Sequence, residues 1–292
     1  MVFLLLLLGG GAYAYSVYLS LNKAVETMHS PIDRDKSDKR QKAVEFNRKQ
    51  PFSVLLLGVD ERKNDKGRSD SMIILTVNPD QKSVKMISIP RDTMTDIVGK
   101  GKKDKINHAY AFGGVEMSMD TVENLLDIPI DYYVKINMEG FKDIVNAVGG
   151  VTVNNDLYFN YEGHTFPKGE LKLNGKEALA FSRMRYEDPR GDFGRQLRQR
   201  DVIQAIIREG ASVSSLWNFD NIFDALGKNI KTNLSFEEMV DIQKNYKSAS
   251  KEIKQIQIKN GSGTKIDGIY YYIIPNEELD NIQSELKKHL EL

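Results

Sequence analysis

Ser53-Val54-Leu55-Leu56-Leu57-Gly58-Val59 and Met72-Ile73-Ile74-Leu75-Thr76-Val77 decide the fold, with Val84 to Ile89 following the turn signal Asn78-Pro79-Asp80. Each is a short, nearly unbroken apolar run. A strand with one wet face alternates apolar and polar residues, so unbroken runs of this length predict strands covered on both faces. Helical spacing then takes over. Gly114 to Leu126 keeps Val115, Met119, Val122 and Leu126 on one stripe. Tyr132 to Ile136 reads as a strand, and Met138 to Val148 as a helix ending at Gly149-Gly150. Extended structure resumes at Val151-Thr152-Val153. The pattern predicts further helices over Gly175 to Met184, Gln196 to Glu209, Ser235 to Tyr246 and Glu277 to His289, and late strands over Ile253 to Ile258 and Ile269 to Ile274. Strands alternating with helices imply an α/β fold, a layered α-β-α domain around a central mixed sheet.

The chain has 292 residues, room for one large domain with appendages. Its 41 basic and 41 acidic side chains cancel, so no global field draws it to nucleic acid or anionic membrane. Anion binding has to come from arginines gathered locally. The absence of cysteine excludes disulfides and thiolate metal sites, leaving oxygen or imidazole ligands for any metal.

Val2 to Leu21 carries no charged side chain and is just long enough to cross a bilayer, which takes roughly 20 apolar residues. It predicts a transmembrane anchor over residues 1–21. Ala12-Tyr13-Ala14 has the form of a cleavage site and keeps a signal peptide as the rival reading. Residues 22–50 are polar and charge-rich and predict a stalk, leaving one catalytic domain over residues 51–292. The basic flank, from Lys23 to Lys49, by itself favours a cytoplasmic body.

The first strand ends in Gly58-Val59-Asp60-Glu61-Arg62, and Arg68-Ser69-Asp70 stands just before the second. The third runs out into Ile89-Pro90-Arg91-Asp92. Ligands of open α/β sheets gather at such strand ends. Two carboxylates, Asp60 and Asp70, suit a magnesium ion that keeps its remaining places for water and phosphate. Arg62, Arg68 and Arg91 offer forks that match phosphate oxygens. Taken singly, each of these residues reads as half of a surface ion pair; their grouping suggests a site. Downstream, Arg183 and Arg185 share a side only if the preceding helix ends at or before Arg183, because residues two apart diverge on a helix and align on extended chain. Arg195, Arg198 and Gln199 follow at helical spacing, with Val202, Ile203 and Ile206 beyond them. His108 and His164 form no zinc motif, and His108 reads as a structural histidine. No nucleophile elbow, Walker loop or dinucleotide fingerprint is present.

Leu57-Gly58-Val59-Asp60, Arg68-Ser69-Asp70-Ser71 and Ser88-Ile89-Pro90-Arg91-Asp92 resemble motifs of the LytR-CpsA-Psr family. So do Lys105-Ile106-Asn107-His108-Ala109-Tyr110 with Gly113-Gly114, Arg183-Met184-Arg185, and Asp192-Phe193-Gly194-Arg195 leading to Arg198-Gln199. Order and spacing agree over residues 51–207. The resemblance implies a single-pass type II protein of the cell membrane with its body outside the cell. It implies a phosphotransferase that moves an anionic glycopolymer, such as wall teichoic acid, from a polyprenyl-pyrophosphate carrier to peptidoglycan. Asp60 and Asp70 are then expected to hold Mg2+, with Mn2+ as an alternative. Arg62, Arg68, Arg91, Arg183, Arg185, Arg195, Arg198 and Gln199 are expected to grip the pyrophosphate. Asp70 and Asp92 are the candidate bases beside Arg91. Arg200 departs from the family, which often has a second glutamine there, and this bears on the pocket rim. Helices around Leu125, Phe141, Ile203 and Ile206 are expected to line the lipid groove.

Two other readings use the same residues: a pyrophosphatase, with water in place of the sugar hydroxyl, and a non-catalytic module that binds the lipid-linked glycan. A DNA-binding regulator is disfavoured by the neutral charge, the lack of a helix-turn-helix pattern and the anchor.

Overall fold

The structure, a computed structural model, describes residues 25–60, 67–212, 227 and 229–292. The expected anchor and Arg62 lie outside them. No helix among the described residues is long and apolar enough to cross a membrane.

The apolar runs become β1 (Phe52–Val59), β2 (Ser69–Asn78) and β3 (Ser83–Ser88), which pair antiparallel. Next come the hairpin β4 (Met94–Ile97) and β5 (Lys102–Lys105), helix α1 (His108–Leu126), β6 (Tyr132–Ile136) and α2 (Met138–Ala147). A small lobe holds β7 (Val151–Asn155), β8 (Phe159–Tyr161), β9 (His164–Phe166), β10 (Gly169–Leu173) and α3 (Gly175–Arg183), and leads into α4 (Asp192–Ser212). The chain closes with β11 (Ile230–Thr232), α5 (Phe236–Tyr246), β12 (Glu252–Ile256), β13 (Ser262–Ile266), β14 (Ile269–Ile273) and α6 (Asn276–Leu290). The main sheet has the order β11-β6-β1-β2-β3-β12, and it is mixed because β6 and β12 join it parallel.

Strand parity sorts the apolar runs between two cores. Leu55, Leu57, Met72, Ile74 and Ile87 face α1 and α6, against Met119, Val122, Ile282 and Leu286. Their neighbours Val54, Ile73, Leu75, Val84 and Met86 face the opposite way, toward Tyr246, Met239, Ile203 and Ile207 of α5 and α4. The expected layered α-β-α body with strands covered on both faces is therefore present. Inside α1 the helix is broken at Gly114, whose φ of +68° and ψ of −146° suit glycine alone. That break is the structural content of the Gly113-Gly114 motif.

Residues 25–50 do not form the expected stalk; from Val25 onward they lie against the body. Arg34 donates to Glu123 and to the carbonyl of Ile130, and Arg40 donates to both oxygens of Asp131. Phe46 is buried, its ring 5.1 Å from Phe52 and 5.4 Å from Tyr132. The charges that read as solvated are matched by acids remote in sequence, a pairing that local composition cannot reveal.

His289, near the end of α6, is buried with Nδ1 2.7 Å from Thr76 Oγ1 and Nε2 3.0 Å from Ser83 Oγ. Burial, with Lys85 and Lys254 nearby, pushes its pKa down to about 4. The unfolded chain then takes up the proton first, so this contribution is complete above pH ~6.5 and is lost as pH falls toward about 4. The loss amounts to about 3 kcal/mol over that window. Urea unfolding of wild type and His289→Gln between pH 7 and 4 should therefore show a flatter decline in the variant; parallel declines would contradict a neutral buried imidazole.

Candidate active site

The site lies at the end of the sheet where β1 and β3 finish and β2 begins. The register pairs Gly58 with Ser71 and Val59 with Ser69, which leaves Asp70 as the extra residue of a bulge. Asp60 is the residue after β1, so the two acids leave the same end of one strand pair. Ser71 Oγ donates to Gln199 Oε1 at 3.0 Å and ties α4 to this strand. Arg91 Nη1 donates to Asp70 Oδ1 at 2.6 Å, and its Nε is 3.8 Å from Asp92 Oδ2. Lys105 Nζ donates to Asp92 Oδ1 at 2.7 Å. Arg68 is exposed just before β2.

The second cluster comes from the turn between α3 and α4. Helix α3 ends at Arg183 and Met184 is extended, as joint action of Arg183 and Arg185 requires. Arg185 Nε lies 3.8 Å from Asp192 Oδ1, while Arg183 Nη1 donates to Glu162 Oε1 at 2.8 Å. Arg195 Nη2 is 2.7 Å from Asp192 Oδ1 without the alignment of a hydrogen bond, and Arg195 Nε is buried with no hydrogen-bond partner. Ser69, Thr93 and Asn107 likewise carry a buried side-chain oxygen with no such partner. An unmade buried hydrogen bond costs about 1–3 kcal/mol, so the donors among them, Arg195 Nε and the Ser69 and Thr93 hydroxyls, favour a ligand with acceptor oxygens, while Asn107 Oδ1 and the equally unpartnered Asp192 Oδ1 are acceptors.

Electrostatics bring the two clusters together. Burial pushes the Arg195 guanidinium below its ordinary value; Asp192 and Asp70 pull it back, and Arg91 and Arg185 lower it further. Burial also works against Arg91, but the hydrogen bond and charge of Asp70, with Asp92 and Asp192, carry it net above its ordinary value. Asp70, Arg91, Arg185, Asp192 and Arg195 thus form one charge group. It is a partly dry, cation-lined cleft with carboxylates at its edge, suited to a pyrophosphate.

Two expectations are corrected here. Arg198 does not face the cleft: it is buried, its Nε donates to the carbonyl of Phe181 at 3.0 Å, and its Nη atoms go to Asp188 and the carbonyl of Met184. Arg200 is no rim residue; it is buried between Ser88 and Gln255. Asp188, Asp192 and Lys105 were not among the expected site residues, although Asp192 and Lys105 stand inside motifs already singled out by sequence. Gly194 belongs to the same assembly: a Cβ there would fall 1.9 Å from Asp188 Oδ2, so the backbone of α4 rests on that carboxylate.

An apolar cavity of about 640 Å3 opens on the α5 side of the sheet, lined by Phe52, Val54, Leu56, Val84, Leu234 and Ile242 among others. Leu125 packs in the opposite core, and Phe141 and Ile206 pack in the small lobe. Of the expected groove residues, Ile203 packs on the cavity's side of the sheet. Strand β1 runs from the cavity to Asp60, and α4 runs from Arg195 back to Ile207 at the cavity wall.

The model of the LytR_cpsA_psr family matches residues 15–288. The chain belongs to that family. A relative from Bacillus subtilis strain 168, polyisoprenyl-teichoic acid–peptidoglycan teichoic acid transferase TagU, is 57% identical over 287 residues, 98% of this chain and 93% of the relative. The crystal structure of B. subtilis TagU is 55% identical with a TM-score of 0.68, covering 84% of this chain and 98% of that one. A structure of TagT bound to LI-WTA is 35% identical with a TM-score of 0.77, covering 90% and 100%. In this LytR_cpsA_psr chain Asp60 and Asp70 present hard oxygen donors at one end of a strand pair. That donor set fits Mg2+, which binds through one or two carboxylates and keeps places for phosphate and water. Among the described residues no cluster of three or more His, Asp or Glu forms an all-protein cage.

Asp188 is held to about pKa 2: burial opposes this, but the hydrogen bonds from Arg190 and Arg198 outweigh it. Asp188→Asn would leave Arg198 charged and buried without its partner. Breaking such a pair costs about 3–5 kcal/mol. The denaturation midpoint of Asp188→Asn should drop accordingly, and Gly194→Ala should fall with it; a midpoint unchanged in either would remove Asp188 as the anchor of α4.

Proposed function

We propose that this chain is a transferase that moves an anionic glycopolymer of the teichoic acid type from a polyprenyl-pyrophosphate carrier to a sugar hydroxyl of peptidoglycan, releasing polyprenyl phosphate. The carrying observation is that β1 and α4 each run from the apolar cavity to the cation-lined cleft. One ligand with a long apolar tail and a pyrophosphate head fits both at once. Cavity and cleft lie about 18 Å apart along α4, twelve residues from Arg195 to Ile207 at 1.5 Å each. The names of the relatives supply the polymer and the acceptor.

In this reading the prenyl chain lies against Val54, Leu56 and Val84, and Arg91, Arg185 and Arg195 hold the pyrophosphate oxygens. The acceptor hydroxyl attacks the sugar-bearing phosphorus, the bond to the bridging oxygen breaks, and polyprenyl phosphate leaves with its electron pair. Charge moves onto the bridging oxygen during the step, and fixed guanidinium groups in a drying cleft stabilise it without reorganisation. Asp70 or Asp92 takes the hydroxyl proton; Asp70 accepts a hydrogen bond from Arg91 and Asp92 one from Lys105, which fixes where each carboxylate points. Asp60 and Asp70 would hold a magnesium ion, whose part when bound is to neutralise phosphate charge. Residues 1–21 anchor the protein in the membrane, with the body outside the cell.

The test uses the full chain in detergent, a polyprenyl-pyrophosphate disaccharide, a peptidoglycan oligomer and Mg2+, with products read by mass spectrometry. The phosphodiester-linked product is expected, and it should fall by about 100-fold or more in Arg195→Ala and Asp60→Ala. Free sugar phosphate formed despite the acceptor would replace the transferase with a hydrolase. Narrowing the cavity with Val84→Trp should raise the donor KM by about tenfold or more, with chemistry in the single-turnover regime intact. An unchanged KM would place the lipid elsewhere.

A further inference from the structure

We propose that an aromatic platform of the exposed Phe193 and Tyr270, with the buried Tyr272 as its floor and laid against the charged cleft, is the subsite that seats the acceptor glycan. The proposal rests on the transferase reading, which requires a sugar hydroxyl to be delivered beside Asp70 and Asp92 but leaves open what holds it.

The platform is built by the β13–β14 hairpin. Its two strands pair Gly263 with Tyr272 and Lys265 with Tyr270. Both rings lean diagonally across the bare backbone of β13. A Cβ on Gly261 would lie 2.1 Å from Tyr272 Oη, and one on Gly263 would lie 2.5 Å from Tyr270 Oη. With no side chain beneath them, the rings lie flat on the hairpin and do not stand upright from it. Tyr272 is buried as the floor, and Tyr270 remains 45% exposed. Phe193, also 45% exposed, packs tilted against Tyr272 with centroids 5.5 Å apart and planes at 60°.

This surface is joined to the reacting groups on two sides. Tyr272 N donates to the carbonyl of Asp92 at 2.8 Å, so the hairpin hangs from the residue that carries a candidate base. Phe193 follows Asp192, the acid between Arg185 and Arg195. A molecule lying on the platform has its edge at the cleft. Phe193 and Tyr270 are thus two large aromatic side chains left half exposed beside the charged groups. Flat rings that offer a π-face and a rim of hydroxyls suit the C–H face of an uncharged sugar. The polyanionic donor glycan is served less well by such a surface, since the arginines of the site lie in the cleft itself. A neutral amino-sugar strand of the acceptor is the occupant that fits both the chemistry and the position.

The experiment compares wild type, Tyr270→Ala, Tyr270→Phe and Phe193→Ala as full chains, with circular dichroism as the check on folding. The acceptor probe is an uncharged tetrasaccharide of alternating N-acetylated amino sugars, and both transfer kinetics and calorimetric binding are measured. Tyr270→Ala and Phe193→Ala should raise the acceptor KM and Kd by about tenfold, with kcat and donor KM nearly unchanged, while Tyr270→Phe stays near wild type because the ring does the stacking. Acceptor constants that do not move overturn the proposal, and so does an equal rise in donor KM. The proposal also falls if Tyr270→Ala instead loses adsorption to vesicles of phosphatidylglycerol and phosphatidylcholine while acceptor constants hold. If wild type binds the tetrasaccharide and Tyr270→Ala does not, yet no transfer product ever forms, the glycan subsite stands and the transferase reading fails.

Discussion

The buried pair of Asp188 and Arg198 is the constraint on which the charged cleft depends. Their side chains are 0% and 3% exposed, and the guanidinium also caps the carbonyls at the end of α3. It packs 5.3 Å from the ring of Phe159 and 6.0 Å from that of Phe181. A buried ion pair is seldom a net gain over apolar packing, so stability alone does not explain it. What it does is geometric. It ends α3 at Arg183, starts α4 at Asp192, and brings the backbone at Gly194 onto a carboxylate. Arg185 reaches the cleft from one side of this knot and Arg195 from the other. Arg190 reinforces it by donating to both Asp188 and Asp156.

How far the fold can be read in advance follows from which forces are local. The central strands were legible because burial on both faces leaves an unbroken apolar run, and parity then distributes those residues without further information. The hairpin β4–β5 and the strand β13 were not, although β14 was. Lys102 to Lys105 is a charged strand with no apolar face to signal it. In β13 the residues are all exposed, and only β14 carries an apolar signal. The packed segment of residues 25–50 escaped because its partners, Glu123 and Asp131, are some ninety positions away.

The site was legible to a different depth. Strand ends and motif order were enough to gather Asp70, Arg91, Arg185 and Arg195. They were not enough to separate an arginine that belongs to the charged cluster from a structural one at Arg198. Helical spacing places Arg195 and Arg198 on neighbouring positions of one helix, yet one points into a cleft and the other into a fold of backbone carbonyls. Charge type and period are the same for both; the difference lies in the turn that Arg198 itself stabilises, which exists only once the chain has folded. Arg200 shows the same limit, since its partners Ser88 and Gln255 come from two strands of the sheet.

The neutrality of the chain is also informative about how the cleft works. Burial first of all holds the Arg195 guanidinium below its ordinary value, and repulsion from Arg91 and Arg185 adds to it. Asp70 and Asp192 sit where they offset that repulsion, each in contact with an arginine. They act as resident substitutes for phosphate oxygens. A ligand that displaces these contacts has to supply at least the negative charge that Asp70 and Asp192 supply. A ligand with too little charge does not outweigh the carboxylates already in place.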